Sequence, residues 1–548
     1  MKVLLLVVPE ESTFYMNKHI PPLAIGILQS YLRAKNHSVQ SVDLSFRFKE
    51  FIKRENRKTW LPLFEKDYFS ALINNEQHNE SLEKIVAEIL GEINFSGIDF
   101  IGISTGSGIS IFELHFSILI SKYITEMFNI PVALGGVNIS HIYNFKGAFI
   151  ELWLHIFKNI KYVFIGAGEV PFGKLLDAYE NKIADNIYDK LEGAAYLKNN
   201  EVFANKESSP SLICPDFAEF NLLNYSTNLN PLDFQENIEH NFSWPFPYNV
   251  FAKDINNIKY KHTNYKEVFF PYYFNYHCPY NCAFCGQSAR DKTGFCSKNA
   301  KTVLDDIQYL NKKHGAKYFH FVNNTFNYSP SFVKEFSEGI IKMKLEIYWG
   351  DCARIDNLTK ELLVLMYSVG CRKLVFGFET GSKRLQKYIN KNLDIDNLKQ
   401  ILIWCKEIGI FCDLEVIIGF PQEREEDFMD TYNFLFENRD LINFFYVNRY
   451  YVEPNSLMGT EPEKYNISLR MIQNYQSILE KNKKLFINQY RYGQKDIELS
   501  NLHIFSFNEI DGRKWNEINS TINEWFTKML ALQQSFQSIT KAKEYIHF

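Results

Sequence analysis

Long uncharged runs are missing from this chain. Nowhere in its 548 residues does a stretch approach the ~18–20 consecutive apolar residues of a membrane-spanning helix. The opening run, MKVLLLVV, is short and closes on Pro9 and two glutamates. It lacks the longer apolar region and small-residue cleavage site of a signal peptide, so a cytoplasmic protein is expected. Charge of one sign is scarce too. A net charge of −4 leaves no global basic field to attract a nucleic-acid backbone, and neither nucleic acid nor membrane is an expected partner. Cysteine is sparse: nine in all, none before Cys214 and none after Cys412. That excludes a disulfide framework and turns attention to any place where cysteines gather. Repeats and low-complexity tracts are absent. What remains is ordinary globular composition, 46% hydrophobic and 23% charged, in a chain long enough for two or three domains.

Apolar runs alternate with helical periods through the first 200 residues: VLLLVV (3–8), a helix over 21–35, SVQSVDL (38–44), DFIGIST (99–105), a helix over about 112–128, PVALGG (131–136) and YVFIGAGE (162–169). This predicts βαβ units in a doubly wound parallel α/β sheet over residues 1–195, interrupted by a charged helical insertion at 46–95. Residues 196–265 read as a linker region. Strands then recur at 267–274, 318–323, 346–352, 373–379, 411–420 and 444–452, with helical stretches between them. Six βα repeats predict a partial (β/α)6 barrel over 266–460, its site at the strand carboxyl ends. Residues 461–548 read as a mostly helical C-terminal region.

Three of the nine cysteines fall within eight positions, in HCPYNCAFCGQ (277–287), directly after the first barrel strand. Cys278, Cys282 and Cys285 supply too few ligands for a structural zinc site, and His277, adjacent to Cys278, would chelate poorly as a fourth. On a 4Fe–4S cluster, three thiolates leave one iron open to a substrate. Zinc and a chance grouping of buried cysteines are the alternatives. The string Cys278-Pro-Tyr-Asn-Cys282-Ala-Phe284-Cys285 resembles the CxxxCxxC signature of the radical S-adenosylmethionine superfamily, with its aromatic residue before the third cysteine. The resemblance implies that the open iron binds S-adenosylmethionine and that one electron cleaves it to a 5′-deoxyadenosyl radical, with Phe284 beside the adenine. It extends to Asn323 and Asn324 in VNNTF, Arg354 in GDCARID, Glu379 in FGFETGS, and Gly419 and Pro421 in IIGFPQE, all as S-adenosylmethionine contacts. A glutamate left unpaired after an apolar strand is costly to bury, which is a reason for Glu379 to meet a ligand hydroxyl or amine.

The segments 21–44, LGGVN (134–138) and IGAGEVPF (165–172) resemble the cobalamin-binding domain of class B radical S-adenosylmethionine enzymes. That resemblance assigns Ser104, Ser107, Gly135, Gly136, Val137, Gly168 and Glu169 to cobalamin. DxHxxG, the source of a lower-axial histidine in many cobalamin proteins, does not occur in the loop after the first strand; His19 and His141 therefore read as solvent or packing residues. Two related plans are excluded by cysteine position. Methylthiotransferases need three N-terminal cysteines, and peptide-modifying relatives with auxiliary clusters need cysteines near the C-terminus. One cluster is expected, and the other six cysteines read as small core residues.

The implied enzyme is a cobalamin-dependent radical C-methyltransferase. It would act on a small-molecule or peptide substrate and draw electrons from a flavodoxin or ferredoxin. Cyclisation or rearrangement without net methyl transfer is the second reading, and a cobalamin or redox sensor is the non-enzymatic one. Arg449 and Tyr451, at the end of the last strand, are further candidates for substrate contact.

Overall fold

The apolar runs become strands in two parallel sheets. The computed structural model describes residues 1–9, 20–54, 80–106, 111–136, 160–183, 190–198, 201–206, 210–228, 266–287, 294–453, 455–470 and 506–546, together with Ile139, Ile187 and Ser208. The chain divides into two units, one holding Met1–Ser226 and the other Thr227–Met471 with Ile504–Phe548.

In the first unit β1 (Lys2–Val7), β2 (Ser38–Asp43), β3 (Phe100–Thr105), β4 (Val132–Gly136), β5 (Ile160–Phe164), β6 (Ala194–Lys198) and β7 (Glu201–Ala204) form one sheet in the order β2-β1-β3-β4-β5-β6-β7. The first five strands are parallel, and β6 and β7 add an antiparallel edge. Val3 to Val7 of β1, an interior strand, are all buried, as expected where helices cover both faces. Helices α1 (Leu23–Ala34), α2 (Leu44–Arg54), α3 (Glu80–Leu90), α4 (Ile111–Phe128) and α5 (Glu169–Glu180) supply the connections. The helical insertion is present as α2 and α3; residues 55–79 lie outside the described part. The expected boundary at 195 falls too early. The sheet continues through β7, and the segment beyond it is tied back by Arg33 to Asp216 (2.7 Å) and by Tyr225 Oη donating to Asp43 (2.9 Å).

The second unit begins with a two-residue pair, β8 (Thr227–Asn228) and β9 (Lys266–Glu267). The strand β10 (Phe269–Tyr272) follows, and then a second short pair, β11 (Asn275–Tyr276) with β12 (Cys296–Ser297), brackets the cysteine stretch. With β10, the strands β13 (Tyr318–Phe321), β14 (Tyr348–Ala353), β15 (Cys371–Glu379), β16 (Phe411–Ile418) and β17 (Phe444–Arg449) form a six-stranded, all-parallel sheet in sequence order. This is the expected partial barrel. Its connecting helices are α6 (Ala300–His314), α7 (Pro330–Met343), α8 (Lys360–Ser368), α9 (Lys383–Tyr388), α10 (Ile395–Ile408) and α11 (Glu425–Glu437). Asn299, Ser329, Thr359, Ser382 and Asp394 cap five of them by accepting backbone N–H groups. After β17 come α12 (Leu457–Thr460), the antiparallel pair β18 (Ile467–Arg470) and β19 (Ser506–Glu509), and α13 (Trp515–Ile546). Among the described residues the C-terminal region is thus helical with a small antiparallel strand pair that the sequence pattern did not reveal. Helix α13 packs on the outer face of β17, where Phe536 meets Phe445 edge-on and Gln533 donates to the Phe445 carbonyl.

Candidate active site

The cysteine loop leaves the carboxyl end of the first barrel strand. It is pinned at both sides: Cys278 N–H donates to the Gln287 carbonyl (2.9 Å), Ala283 N–H to Ile389 (2.7 Å), and Met458 N–H to Ala283 (3.0 Å). Cys282 is buried, while Cys278 and Cys285 are half-buried. The Gln287 N–H points at Cys285 Sγ (3.4 Å), and the Arg354 guanidinium donates to Cys282 Sγ (3.7 Å). Burial pushes the Cys285 thiol up to about 12, and the Cys278 thiol is raised for the same reason. Coordination to a metal would displace those protons.

Residues from the other strand ends converge on this loop. Arg354, just after β14, stacks on Tyr280 with its guanidinium carbon 3.8 Å from the ring centroid, pairs with Asp356 (2.5 Å) and donates to the Lys391 carbonyl (3.2 Å). Glu379 ends β15 in the left-handed region at φ 61°, a position that costs about 1–3 kcal/mol and often marks function. It is buried, and its carboxylate is paired with Lys391 Nζ at 2.5 Å. The amine that meets Glu379 in the fold is thus that of Lys391, twelve residues downstream. Phe284 packs edge-on to Phe420 at 5.5 Å, with Lys391 Nζ 6.0 Å from its ring. Gly419, at φ 90°, begins the turn that presents Phe420 and Pro421; a Cβ there would sit 2.4 Å from Ile522. Glu423 closes the same turn by accepting the Gly419 and Phe420 N–H groups, and burial raises its carboxyl to about 8.

Asn323 and Asn324 part company. The Asn323 side chain is consumed within the fold, accepting from Phe274 N–H (2.9 Å) and Asn275 N–H (3.1 Å) and donating to Asp351 (2.6 Å). Asn324 is exposed beside it. Arg449 also departs from expectation: its guanidinium lies 4.6 Å from the Phe526 ring on α13, on the outer face of β17. Tyr451 is 41% exposed.

A family model for the radical SAM superfamily matches residues 272–435. The match takes in the cysteine loop and the strands from β13 to β16. It is similar to an uncharacterized methyltransferase, PH0819, of Pyrococcus horikoshii, with 23% identity over 376 residues, 67% of this chain and 71% of that one. An anaerobic magnesium-protoporphyrin IX monomethyl ester cyclase of Rubrivivax gelatinosus is 27% identical over 172 residues, 30% of each chain. Among solved structures the fold is similar to the radical S-adenosylmethionine methyltransferase TsrM of Kitasatospora setae. The TM-score is 0.54 at 15% identity, over 85% of this chain and 80% of that one.

The donor set fits the cluster of a radical S-adenosylmethionine enzyme: three thiols on one loop, with the cations of Arg354 and Lys391 near to offset thiolate charge. Among the described residues no three His, Cys, Asp or Glu side chains gather at single-ion distance. A four-iron cluster asks only that each thiol reach its own iron.

At the strand ends of the first unit, Ser104, Gly135 and Gly136 are half-buried and small. A Cβ at Gly136 would come within 2.3 Å of the Thr105 carbonyl oxygen and 2.8 Å of its Oγ1, so β4 leaves no room for a side chain beside Thr105 there. Gly168 opens α5, and a Cβ at that position would meet nothing within 4 Å. These small residues stand at or just beyond the carboxyl ends of the neighbouring strands β3, β4 and β5. Glu169, in contrast, is buried and accepts from both N–H (2.8 Å) and Oγ (2.9 Å) of Ser211; it anchors its own unit. Ser107, Val137, His19 and His141 lie outside the described residues.

Sequence reasoning missed Lys391, Glu453 and the polar residues of β15 to β17. Glu453 lies against Gly286, where a Cβ would sit 2.5 Å from its Cγ, and burial raises its carboxyl to about 7. A readable signal existed for the strands: FCDLEVII places Asp413 and Glu415 two apart in an otherwise apolar run, so both face the same side.

Proposed function

We propose that this radical S-adenosylmethionine enzyme uses cobalamin to methylate an unactivated carbon of its substrate. The observation that carries the reading is the three-thiol loop at the carboxyl end of a six-stranded parallel barrel, in a chain whose other unit is a parallel α/β sheet with small residues at its strand ends. When bound, the cluster would supply the electron that cleaves S-adenosylmethionine, and cobalamin would supply a carrier for the methyl group.

The chain's own residues account for the rest. Cys278, Cys282 and Cys285 would hold three irons. Arg354 is placed to offset the charge of that site, fixed in orientation by Tyr280 and Asp356. Phe284 and the Gly419–Pro421 turn form a flat apolar edge fit for adenine, and Glu423 keeps that turn closed. The Glu379–Lys391 pair offers an acceptor and a donor at the mouth of β15. Together these groups position the ligand and exclude water from the reacting centre. Ser104, Gly135, Gly136 and Gly168 would receive the corrin.

Similarity to PH0819 and to TsrM supports methyl transfer. The similarity to the cyclase favours a second reading, ring formation on the same machinery without net methylation. The test is anaerobic purification with cobalamin supplied, followed by turnover of methyl-deuterated S-adenosylmethionine with a cell extract as the source of substrate. One cobalt per chain and a deuterated methyl group in a small product are expected. Cobalt-free protein after reconstitution, with 5′-deoxyadenosine still formed, would overturn methylation in favour of the second reading.

A further inference from the structure

The barrel's inner face carries a polar set that cofactor binding at the strand ends leaves unexplained. Side chains alternate along a strand, so the face of β17 holding Phe445 and Arg449 is turned to α13, and the face holding Tyr446 and Asn448 is turned to the lumen. Tyr446 Oη donates to Asp413 (3.2 Å), and Asn448 Nδ2 donates to Glu415 (3.1 Å), which puts both carboxylates of β16 on that inner face. Lys373 of β15 forms an ion pair with Asp413, both fully buried. Above this floor the lumen is open: Asn448 is exposed, Glu415, Cys352 and Ile417 are half-buried, and Val322 is 37% exposed.

The charge in this lumen is unbalanced in one direction. Asp413, Glu415 and Glu379 give three carboxylates against two ammonium groups, Lys373 and Lys391. His320, buried beside Lys373, is held neutral by that burial, and Tyr446 keeps its proton for the same reason. A group entering here is favoured if it brings positive charge and N–H donors. A carboxylate or phosphate would add to the excess.

We propose that Glu415 and Asn448 form the specificity seat for a protonated amine of the substrate, within the lumen of the barrel. This rests on the enzyme reading above, in which the lumen is where substrate meets the radical. Glu415 accepts the ammonium hydrogen bonds and Asn448 orients its carboxylate. The Lys373–Asp413–Tyr446 floor fixes the strand positions beneath. Val322 and Ile417 supply apolar walls for the body of the molecule.

The test uses the full-length, cluster-reconstituted protein with S-adenosylmethionine saturating. The probes are phenethylamine, 2-phenylethanol and 3-phenylpropionate, which share a ring and differ in charge, and binding is read by equilibrium dialysis. The amine is expected to bind at least tenfold more tightly than the alcohol, and the acid least. Glu415→Gln should bring amine and alcohol close to parity, whereas Asn448→Asp should widen their ratio several-fold. Because Asn448 is exposed, its variant reports even if Glu415→Gln misfolds. Parity in the wild type, a preference unmoved by Asn448→Asp, or a preference surviving Glu415→Gln would each overturn the proposal. So would an amine preference seen only without S-adenosylmethionine, which would place the probe in the cofactor's own seat. Formation of 5′-deoxyadenosine by the wild type, measured separately, keeps a failure of this seat distinct from a failure of the enzyme reading.

Discussion

Replacing Lys373 by methionine should unseat the floor of the barrel. Lys373 and Asp413 form a fully buried ion pair, with Tyr446 as the second donor to Asp413. Burial lowers the lysine pKa and raises that of the aspartate, so each keeps its charge only because the other is there. Removing one partner of such a pair costs about 3–5 kcal/mol, because the remaining charge stays buried. The Tyr446 hydroxyl still serves Asp413, which places the expectation at the lower end, about 3 kcal/mol. At ~1.4 kcal/mol per tenfold, amides of β15 and β16 should exchange with solvent roughly a hundred times faster. Hydrogen exchange read by mass spectrometry suits the measurement, since it follows these two strands rather than both units of the chain. Adding Asp413→Leu should recover at least half of the loss, short of all of it because Tyr446 then lacks its acceptor. Acceleration below threefold, or a double variant no better than the single one, would refute the reasoning.

Other expectations follow from individual side chains. Glu423 has its carboxyl raised to about 8, above the unfolded value, so its contribution to stability is present at low pH and is lost as pH rises through about 8. Thermal melts should therefore show the protein destabilised between pH 6 and pH 9. Glu423→Gln should remove part of that slope, and a slope unchanged by the substitution would contradict the assignment; Asp351, also raised to about 8, supplies another part. Gly419→Ala should lower the melting temperature by combining a left-handed backbone with a 2.4 Å approach to Ile522, and Ile522→Ala should restore only the steric share. Cys282→Ala should reduce iron from about four per chain to near zero on reconstitution, while Cys405→Ala, far from the loop in sequence and buried in α10, should leave iron content intact.

Much of the fold was legible because most interior strands of both sheets are parallel and largely buried, so they appear as mainly apolar runs such as VLLLVV and KLVFGF. The cysteine loop was legible because its ligands lie within eight residues. Edge pieces were not: β6 and β7 continue the first sheet as a short antiparallel hairpin, and β18 with β19 pairs segments far apart in sequence. The side-chain assignments failed where tertiary pairing decides. Nothing near Glu379 in sequence announced Lys391, and Asn323 looked available until Phe274 and Asn275 took its carbonyl oxygen and Asp351 one of its N–H groups. Arg449 and Asn448 show the sensitivity of strands to register. One residue separates the face that meets α13 from the face that meets the lumen, and the strand's end alone does not say which is which.

The central claim is that the loop of Cys278, Cys282 and Cys285 holds a cluster that cleaves S-adenosylmethionine reductively. It is tested most directly by incubating the anaerobically reconstituted, reduced protein with S-adenosylmethionine and quantifying 5′-deoxyadenosine beside Cys282→Ala. The account predicts 5′-deoxyadenosine from the wild type and none above background from the variant. Equal yields from the two proteins, or none from a wild type carrying its full complement of iron, would contradict it.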